Sequence, residues 1–521
     1  MKQAPECAST GNEAKPQNWL LTGPALVLYV ALTKLLIQLA VAGRYGYSVD
    51  ELYFLACAEH LDWGYVDHPP LVVWVAHLVH VVSGDSLYSL RLLPALAGAA
   101  LAWLTGALTR ELGGGRYAQL LAAIAVLGTP FYLTTHSVLG MNAFEPLLWV
   151  GCAYCAVLAI AREQPRYWIW FGIIVGVGLL NKYSILLFAA SIVLGLLLTP
   201  ARRWLKTPQM WAGGALAMLI VSPNLVWQIQ HDLPFLQWQH AIRGIKQTIQ
   251  YSPVQFVLHQ LWLTGAICLV WLTGLWFFFA DSKGKSFRAL DWAFVASLGC
   301  LVAMHGKPYY LLPVYGVLFA GGAVALEAVF ANADLAWLRR ALVYAVLLVC
   351  AILAPTFIPV LPLKLVIPYE RAFRISPPLR DYPFDHASEL PPAFAWEQGW
   401  RDYIEAVSQT YHALPPAEQA KAGILTRYYG QAASIDFFGS KYGLPKAISG
   451  HLSYYFWGTR NNTGEILLVI GYPPNTVANV CDHAELGALY KSDNPDHGVV
   501  VVCKGLHAKF PEDWPKLRSF F

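Results

Sequence analysis

The sequence predicts a polytopic α-helical membrane protein with a small α/β domain at its carboxyl end. Three observations predict it. The chain of 521 residues is 56% apolar and only 13% charged, about half the charge of an ordinary soluble chain. Its mean hydropathy is +0.44. Its apolar residues fall into runs of about 17–25, the length that crosses a bilayer, and this pattern stops near residue 363.

About eleven such runs can be read, at 19–43, 88–109, 117–135, 139–161, 167–181, 183–199, 210–229, 256–280, 290–304, 309–330 and 341–362. The polar start "MKQAPECASTGNEAKPQNW" has no small-residue cleavage site behind a short apolar core. Residues 1–18 are therefore expected as a cytoplasmic tail and run one as a retained helix. Lys and Arg favour cytoplasmic loops. With the tail inside, the inner loops hold Arg110, Arg116, Arg162, Arg166, Arg202, Arg203, Lys206, Lys283, Lys285, Arg288, Arg339 and Arg340. The outer loops hold only Arg44, Lys182, Arg243, Lys246 and Lys307. This bias supports an odd number of spans, and residues 363–521 are then expected outside. It also accounts for the net charge of +4, so that charge does not argue for nucleic acid. The expected location is the plasma (inner) membrane.

Past residue 362, "LVIPYERAFRISPPLRDYPFDHASELPPAFAW" is rich in proline and charge and reads as linker or extended chain. "GWRDYIEAVSQTYHAL" has helical periodicity, and "AGILTRYY", "GEILLVIGY" and "HGVVVVCKG" read as strands between turn residues. Cys481 and Cys503 fall in this outer domain, where oxidising conditions permit a disulfide; the sequence leaves open whether they pair. "CAYC" at Cys152–Cys155 has metal-like spacing, but its run holds no His or acidic partner, and it reads as small apolar packing.

The chemistry-bearing residues lie at the outward ends of spans. The loop 44–86 contains Asp50, Glu51, Glu59, Asp62, Asp67 and His68. "DELYFLACAEHL" reads as an amphipathic helix opened by Asp50 as its cap. "VDHPPLVVWVAHLVHVV" reads as a second helix, with Pro69 and Pro70 near its start. Both are too short or too polar to span, so they are expected in the membrane interface. A lone Asp before a helix is most simply an N-cap; so many ionisable neighbours in one loop favour a functional site. Glu145, in "HSVLGMNAFEPLLWV", either caps a helix starting at Asn142 or faces a polar cavity, because a carboxylate in an apolar span is costly. Lys182, Arg243 and Lys307 either snorkel or bind one anionic ligand such as a phosphate. Tyr53, Tyr309 and Tyr310 are candidates to stack on a sugar. Asp67 is a candidate ligand for a divalent metal, although the chemistry requires no cofactor.

An acidic pair after the first span, then "HPPL", then "SLRLLPALAGA", resembles polytopic GT-C glycosyltransferases. The nearest likeness is to glycosyltransferase family 39, the protein mannosyltransferases and the lipid A aminoarabinose transferases. "GLLNKYS", "GKPYYLLPVYGVLFAGGAVALE" and "YYGQAASIDFFGSKYGLPKAISGHLSYYFWG" resemble its bacterial members. The resemblance implies a polyprenyl-phosphate sugar donor and transfer outside the cytoplasm to a lipid A, glycan, lipid or protein hydroxyl. It implies Asp50 as general base, with Glu51 supporting it or binding acceptor. His68, Arg243 and Lys307 would contact the donor phosphate, and Glu145 is the match for a second acidic residue early in the fourth span. The aminoarabinose pattern has an acidic residue and Lys before the two prolines where this chain has Asp67 and His68. The rival classes are a lipid-linked-sugar flippase, which commonly shows repeated halves with broken helices, and a non-catalytic membrane subunit.

Overall fold

The computed structural model describes residues 19–246, 251–375, 389–490, 498–507 and 509–520. The centre of the expected linker, 376–388, and the side chain of Lys246 lie outside the described residues.

In chain order the helices are α1 (Gly23–Val41), two helices of the first long loop, α2 (Val49–Ala58) and α3 (Leu71–Ser83), and then α4 (Leu87–Glu111). There follow α5 (Arg116–Gly128), α6 (Pro130–Thr135), α7 (Met141–Ala161), α8 (Tyr167–Asn181), α9 (Ile185–Leu197) and α10 (Pro208–Gln230). The series continues with α11 (Pro234–Lys246), α12 (Pro253–Thr264), α13 (Cys268–Ala280), α14 (Arg288–Ala303), α15 (Tyr315–Val329), α16 (Ala336–Phe357) and α17 (Leu363–Phe373).

Among the described residues, eight helices are long and apolar enough to cross a membrane, or nine if α9 and the 3-10 helix Pro200–Lys206, bent by 116°, form one span. Each apolar run of the sequence coincides with a helix. Those that fall short are α5 and α8, of 13 and 15 residues. The perimeter exposes Leu36, Leu219, Trp337 and Leu348, each more than 60% open, a surface that only lipid would cover.

The run 117–135 is divided at Pro130, which opens α6. Carbonyls left open at the end of the short α6 are satisfied from α1. Lys34 Nζ donates to the Tyr132 carbonyl at 3.2 Å, and Gln38 Nε2 donates to that of Leu133 at 3.0 Å. A buried lysine in an apolar helix thus has a structural task, because unpaired backbone groups inside a membrane are costly.

The carboxyl-terminal part comprises α18 (Pro392–Ala395), α19 (Trp400–His412), α20 (Pro416–Gln419), β1 (Ala422–Thr426), α21 (Tyr429–Phe438), β2 (Ala447–Ser449), β3 (Ile466–Ile470), α22 (Pro474–Ala478), β4 (Cys481–Tyr490) and β5 (Gly498–Leu506). Its five-stranded sheet has the order β2-β1-β3-β5-β4. β1 runs parallel to β2 and β3, whereas β5 is antiparallel to both β3 and β4. Cys481 and Cys503 are bonded as a disulfide between the edge strand β4 and β5. The chain expected as linker is helical at its start, since Leu363–Phe373 forms α17. That helix is strongly two-sided, with Val366 buried and Leu365 and Phe373 exposed.

The largest departure from expectation is α2. It is not an interfacial helix: Val49 and every residue from Glu51 to Ala58 are buried. Its side chains join those of α19, β1, β3 and α21 in one apolar core. α3, by contrast, exposes Leu78, Val81 and Val82. Gly430 permits the closest approach of α21 to α2, since a Cβ there would stand 2.2 Å from Val49 Cγ2.

Candidate functional site

A cavity of about 440 Å³ lies where the helix bundle meets the α/β domain. The first loop supplies Ser48, Asp50 and Asp67, and the turn after α6 supplies Ser137. Trp238 and Ile242 come from α11, and Lys307 and Tyr309 from the segment before α15. The α/β side supplies Trp396, Glu397, Tyr428, Tyr429 and His451.

Asp50 is not the N-cap of α2. That position belongs to Ser48, whose backbone N–H donates to Glu51 Oε2 at 2.9 Å. With Ser48 and Glu51 forming the capping box, the Asp50 side chain is released from capping and is open to the cavity. Its Oδ1 accepts a hydrogen bond of 2.9 Å from the Tyr429 hydroxyl, 379 residues away in sequence. Removal from bulk water pushes its pKa above the usual carboxylate value; the Tyr429 hydrogen bond opposes this and the charge of Asp67 adds to it. A carboxylate shifted in that direction is a better proton acceptor than a solvated one.

Glu51 is wholly buried. Arg91 of α4 clamps it in two-pronged fashion, Nε to Oε1 at 3.0 Å and Nη2 to Oε2 at 2.8 Å. The Leu139 N–H also donates to Oε1, at 2.9 Å. With Ser48 N this makes four hydrogen bonds on one carboxylate, and none of its capacity faces the cavity. Arg91 further donates to the carbonyls of Ala42 and Gly46, tying the end of α1 to α2 and α4.

The Glu145 carboxylate does not cap α7, whose N-cap is Gly140. It pairs with Lys182 Nζ at 2.8 Å and accepts from Ser184 Oγ. Lys182 also donates to Asn142 Oδ1 and lies over the ring of Tyr310 at 4.7 Å. Tyr310 in turn packs edge-on against Tyr309. Glu145, Lys182 and Tyr310 thus form a cluster beside the cavity, while Lys307 and Tyr309 are on its wall.

Three expectations need correction. Tyr53 is 1% exposed and its hydroxyl bonds Ser453 Oγ at 2.8 Å and Asp67 Oδ1 at 3.1 Å; a ring so enclosed has no face for a sugar. His68 is fully buried, stacked on Tyr65, with Nδ1 on the Pro69 carbonyl and Nε2 at 3.8 Å from Asp67 Oδ1. Nε2 has no hydrogen-bond partner among the described residues, and the enclosed ring does not line the cavity, so it cannot reach a ligand phosphate there. Arg243 is exposed on α11, and it is Trp238 and Ile242 of that helix that line the cavity. Among the described residues, no group of three or more His, Cys, Asp or Glu is arranged to hold a metal ion. Asp50 and Asp67 both line the cavity, and one or two carboxylates are what the protein commonly supplies to a magnesium ion that a ligand's phosphates also hold.

Sequence reasoning missed Arg91, Tyr429, Glu397 and His451, since each acts on a partner distant in the chain. Glu397 is 5% exposed and lies 3.7 Å from Arg91. Burial pushes its pKa up to about 8, because the Arg91 fork is already committed to Glu51. The folded chain therefore holds this proton more tightly than the unfolded chain, so stability falls as pH rises from about 4.5 through 8. Glu397→Gln is expected to raise stability at pH 8 by on the order of 1–3 kcal/mol and to leave pH 5 nearly unchanged. Thermal unfolding of purified protein at the two pH values checks this.

Fold and site together define a polytopic membrane protein with a carboxylate-bearing cavity roofed by an α/β domain. A family model described as dolichyl-phosphate-mannose-protein mannosyltransferase matches residues 67–227. The chain is 25% identical over 256 residues to the lipid A galacturonosyltransferase RgtD of Rhizobium johnstonii, covering 46% of this chain and 50% of that one. It is 26% identical over 350 residues to the undecaprenyl phosphate-alpha-4-amino-4-deoxy-L-arabinose arabinosyl transferase of Edwardsiella ictaluri, covering 59% of each. The chain thus spans about half to three-fifths of the length of these curated relatives. The crystal structure of ArnT from Cupriavidus metallidurans bound to undecaprenyl phosphate aligns with a TM-score of 0.58 at 13% identity, over 92% of this chain and 97% of that one. An Archaeoglobus fulgidus oligosaccharyltransferase aligns with a TM-score of 0.50 at 15% identity, over 82% of this chain and 62% of that one. The fold is the GT-C fold of membrane glycosyltransferases.

Proposed function

We propose that this chain is a membrane glycosyltransferase that moves a sugar from a polyprenyl-phosphate donor to a hydroxyl acceptor on the outer side of the inner membrane. The observation that carries this reading is Asp50, uncapped and open to a cavity that also presents Lys307. The GT-C fold and the names of both curated relatives support it.

The step is a direct displacement. The acceptor oxygen attacks the anomeric carbon, the bond from that carbon to the phosphate oxygen breaks, and the acceptor proton passes to Asp50. Polyprenyl phosphate leaves with the bonding electrons and the configuration at carbon inverts. A phosphate is already a good leaving group, so the site needs a base and a cation more than a strong acid. Lys307 stabilises the charge gathering on the departing phosphate. Lys182 is held by Glu145 in a close pair of little net charge beside the cavity. Ile242, Thr134 and Phe357 give the cavity an apolar side suited to the first isoprene units of the donor. The Cys481–Cys503 disulfide and the Lys and Arg bias of the loops both fit a carboxyl-terminal domain outside the cytoplasm.

Lipid A is the first acceptor to test, since the Rhizobium relative is named for it. Purified protein in proteoliposomes is given undecaprenyl phosphate carrying labelled aminoarabinose or galacturonate, with lipid A in the outer leaflet. The expected result is labelled lipid A with an equal amount of free undecaprenyl phosphate. Passage of intact donor across the bilayer without release would overturn the reading in favour of a flippase.

A further inference from the structure

The α/β domain meets the cavity with the carboxyl ends of its parallel strands. β1 ends at Thr426 and is followed by Tyr428, Tyr429 and Gly430; β2 ends at Ser449 and is followed by His451 and Leu452. All five of these residues line the cavity. Loops after parallel strands are where such sheets bind and position ligands. Tyr429 is also the first residue of α21.

The Tyr429 hydroxyl donates to Asp50 Oδ1 at 2.9 Å. Tyr429 is itself held by His451 through backbone and ring. Its backbone N–H donates to His451 Nδ1 at 3.3 Å, and its ring stacks on the His451 ring at 5.5 Å with an interplanar angle of 8°. Gly430 lets this turn press against Val49, next to Asp50. Tyr53, bonded to both Asp67 and Ser453, makes a second polar link between the loop and the domain.

We infer that Tyr429 is a positioning residue for Asp50, so the α/β domain completes the reactive centre of the bundle and is more than a cover. This rests on the reading of Asp50 as base. The hydroxyl fixes one oxygen of Asp50 and favours its charged form, leaving the other oxygen for the acceptor proton. The other ionisable groups near Asp50 are Glu51, Asp67 and His68 on its own loop, with Lys307, Glu397 and His451 across the cavity. Loss of the Tyr429 hydroxyl leaves all of them in place.

The test needs no substrate. A hydrophobic carbodiimide labels protonated carboxyl groups, and peptide mass spectrometry of the full chain in detergent gives the midpoint pH of labelling at Asp50. In Tyr429→Phe the midpoint is expected to rise by about one pH unit or more, because a hydrogen bond to a charged group is removed. With 3,5-difluorotyrosine at position 429, a stronger donor of the same shape, the midpoint is expected to fall. If Tyr429→Phe does not fold, the difluorotyrosine protein decides. A merely structural tyrosine would move neither midpoint in these directions, and that outcome would overturn the inference. Asp50→Asn protein that transfers sugar at the full rate would instead remove the base assignment, with the labelling result unaffected.

Discussion

Asp50→Asn is expected to lower sugar transfer by about 10²–10⁴-fold, the usual contribution of a positioned general base, while leaving a folded protein. Asn keeps the shape of the side chain and an oxygen for the Tyr429 hydroxyl, so the bond across the cavity survives. The substitution also removes a carboxylate whose charged form is disfavoured inside the cavity, so the unfolding temperature should hold or rise. Binding of labelled undecaprenyl phosphate, the lipid part shared by donor and product, should change by less than about 3-fold, because Lys307 and the apolar wall are untouched. Loss of turnover with retained binding and stability is the pattern of a group needed in the transition state. A variant that is folded and fully active would end the base assignment.

The sequence showed the bundle because a bilayer imposes one simple demand, a run of apolar residues about 30 Å long. Each run became one helix or two in succession, and Pro130 divided one run where a proline should. β1, β3 and β5 were legible for the same reason, as short apolar runs buried in a sheet. β4 was not, since it is an edge strand with an exposed middle and no apolar pattern to read. β2 has only three residues. At the site, Asp50 was visible as an acid where membrane energetics discourage one. What separates it from Glu51 was invisible. The two residues differ in their partners, and those partners, Arg91 and Tyr429, lie 40 and 379 residues away. The same limit misled the reading of Tyr53 and His68, whose side chains are buried beneath a domain that the local sequence does not mention.

Arg91→Met is expected to destabilise the protein by about 3–5 kcal/mol, the largest stability loss of any single change considered. The substitution leaves the fully buried Glu51 charged, with only the Ser48 and Leu139 N–H groups as donors, and an uncompensated buried charge costs about that much. It also frees the carbonyls of Ala42 and Gly46, which loosens the turn that aims Asp50. Arg91→Lys should recover little, because one ammonium cannot reproduce the two-pronged contact. Glu51→Gln with Arg91→Met should be less damaging than the sum of the two single changes, since no lone charge then remains in the core. Thermal unfolding of the four proteins in detergent measures this coupling. The double variant also separates two roles for Glu51. If Glu51 takes part in chemistry, restoring stability restores no activity. If it acts by fixing the start of α2, sugar transfer by the double variant should recover along with its unfolding temperature.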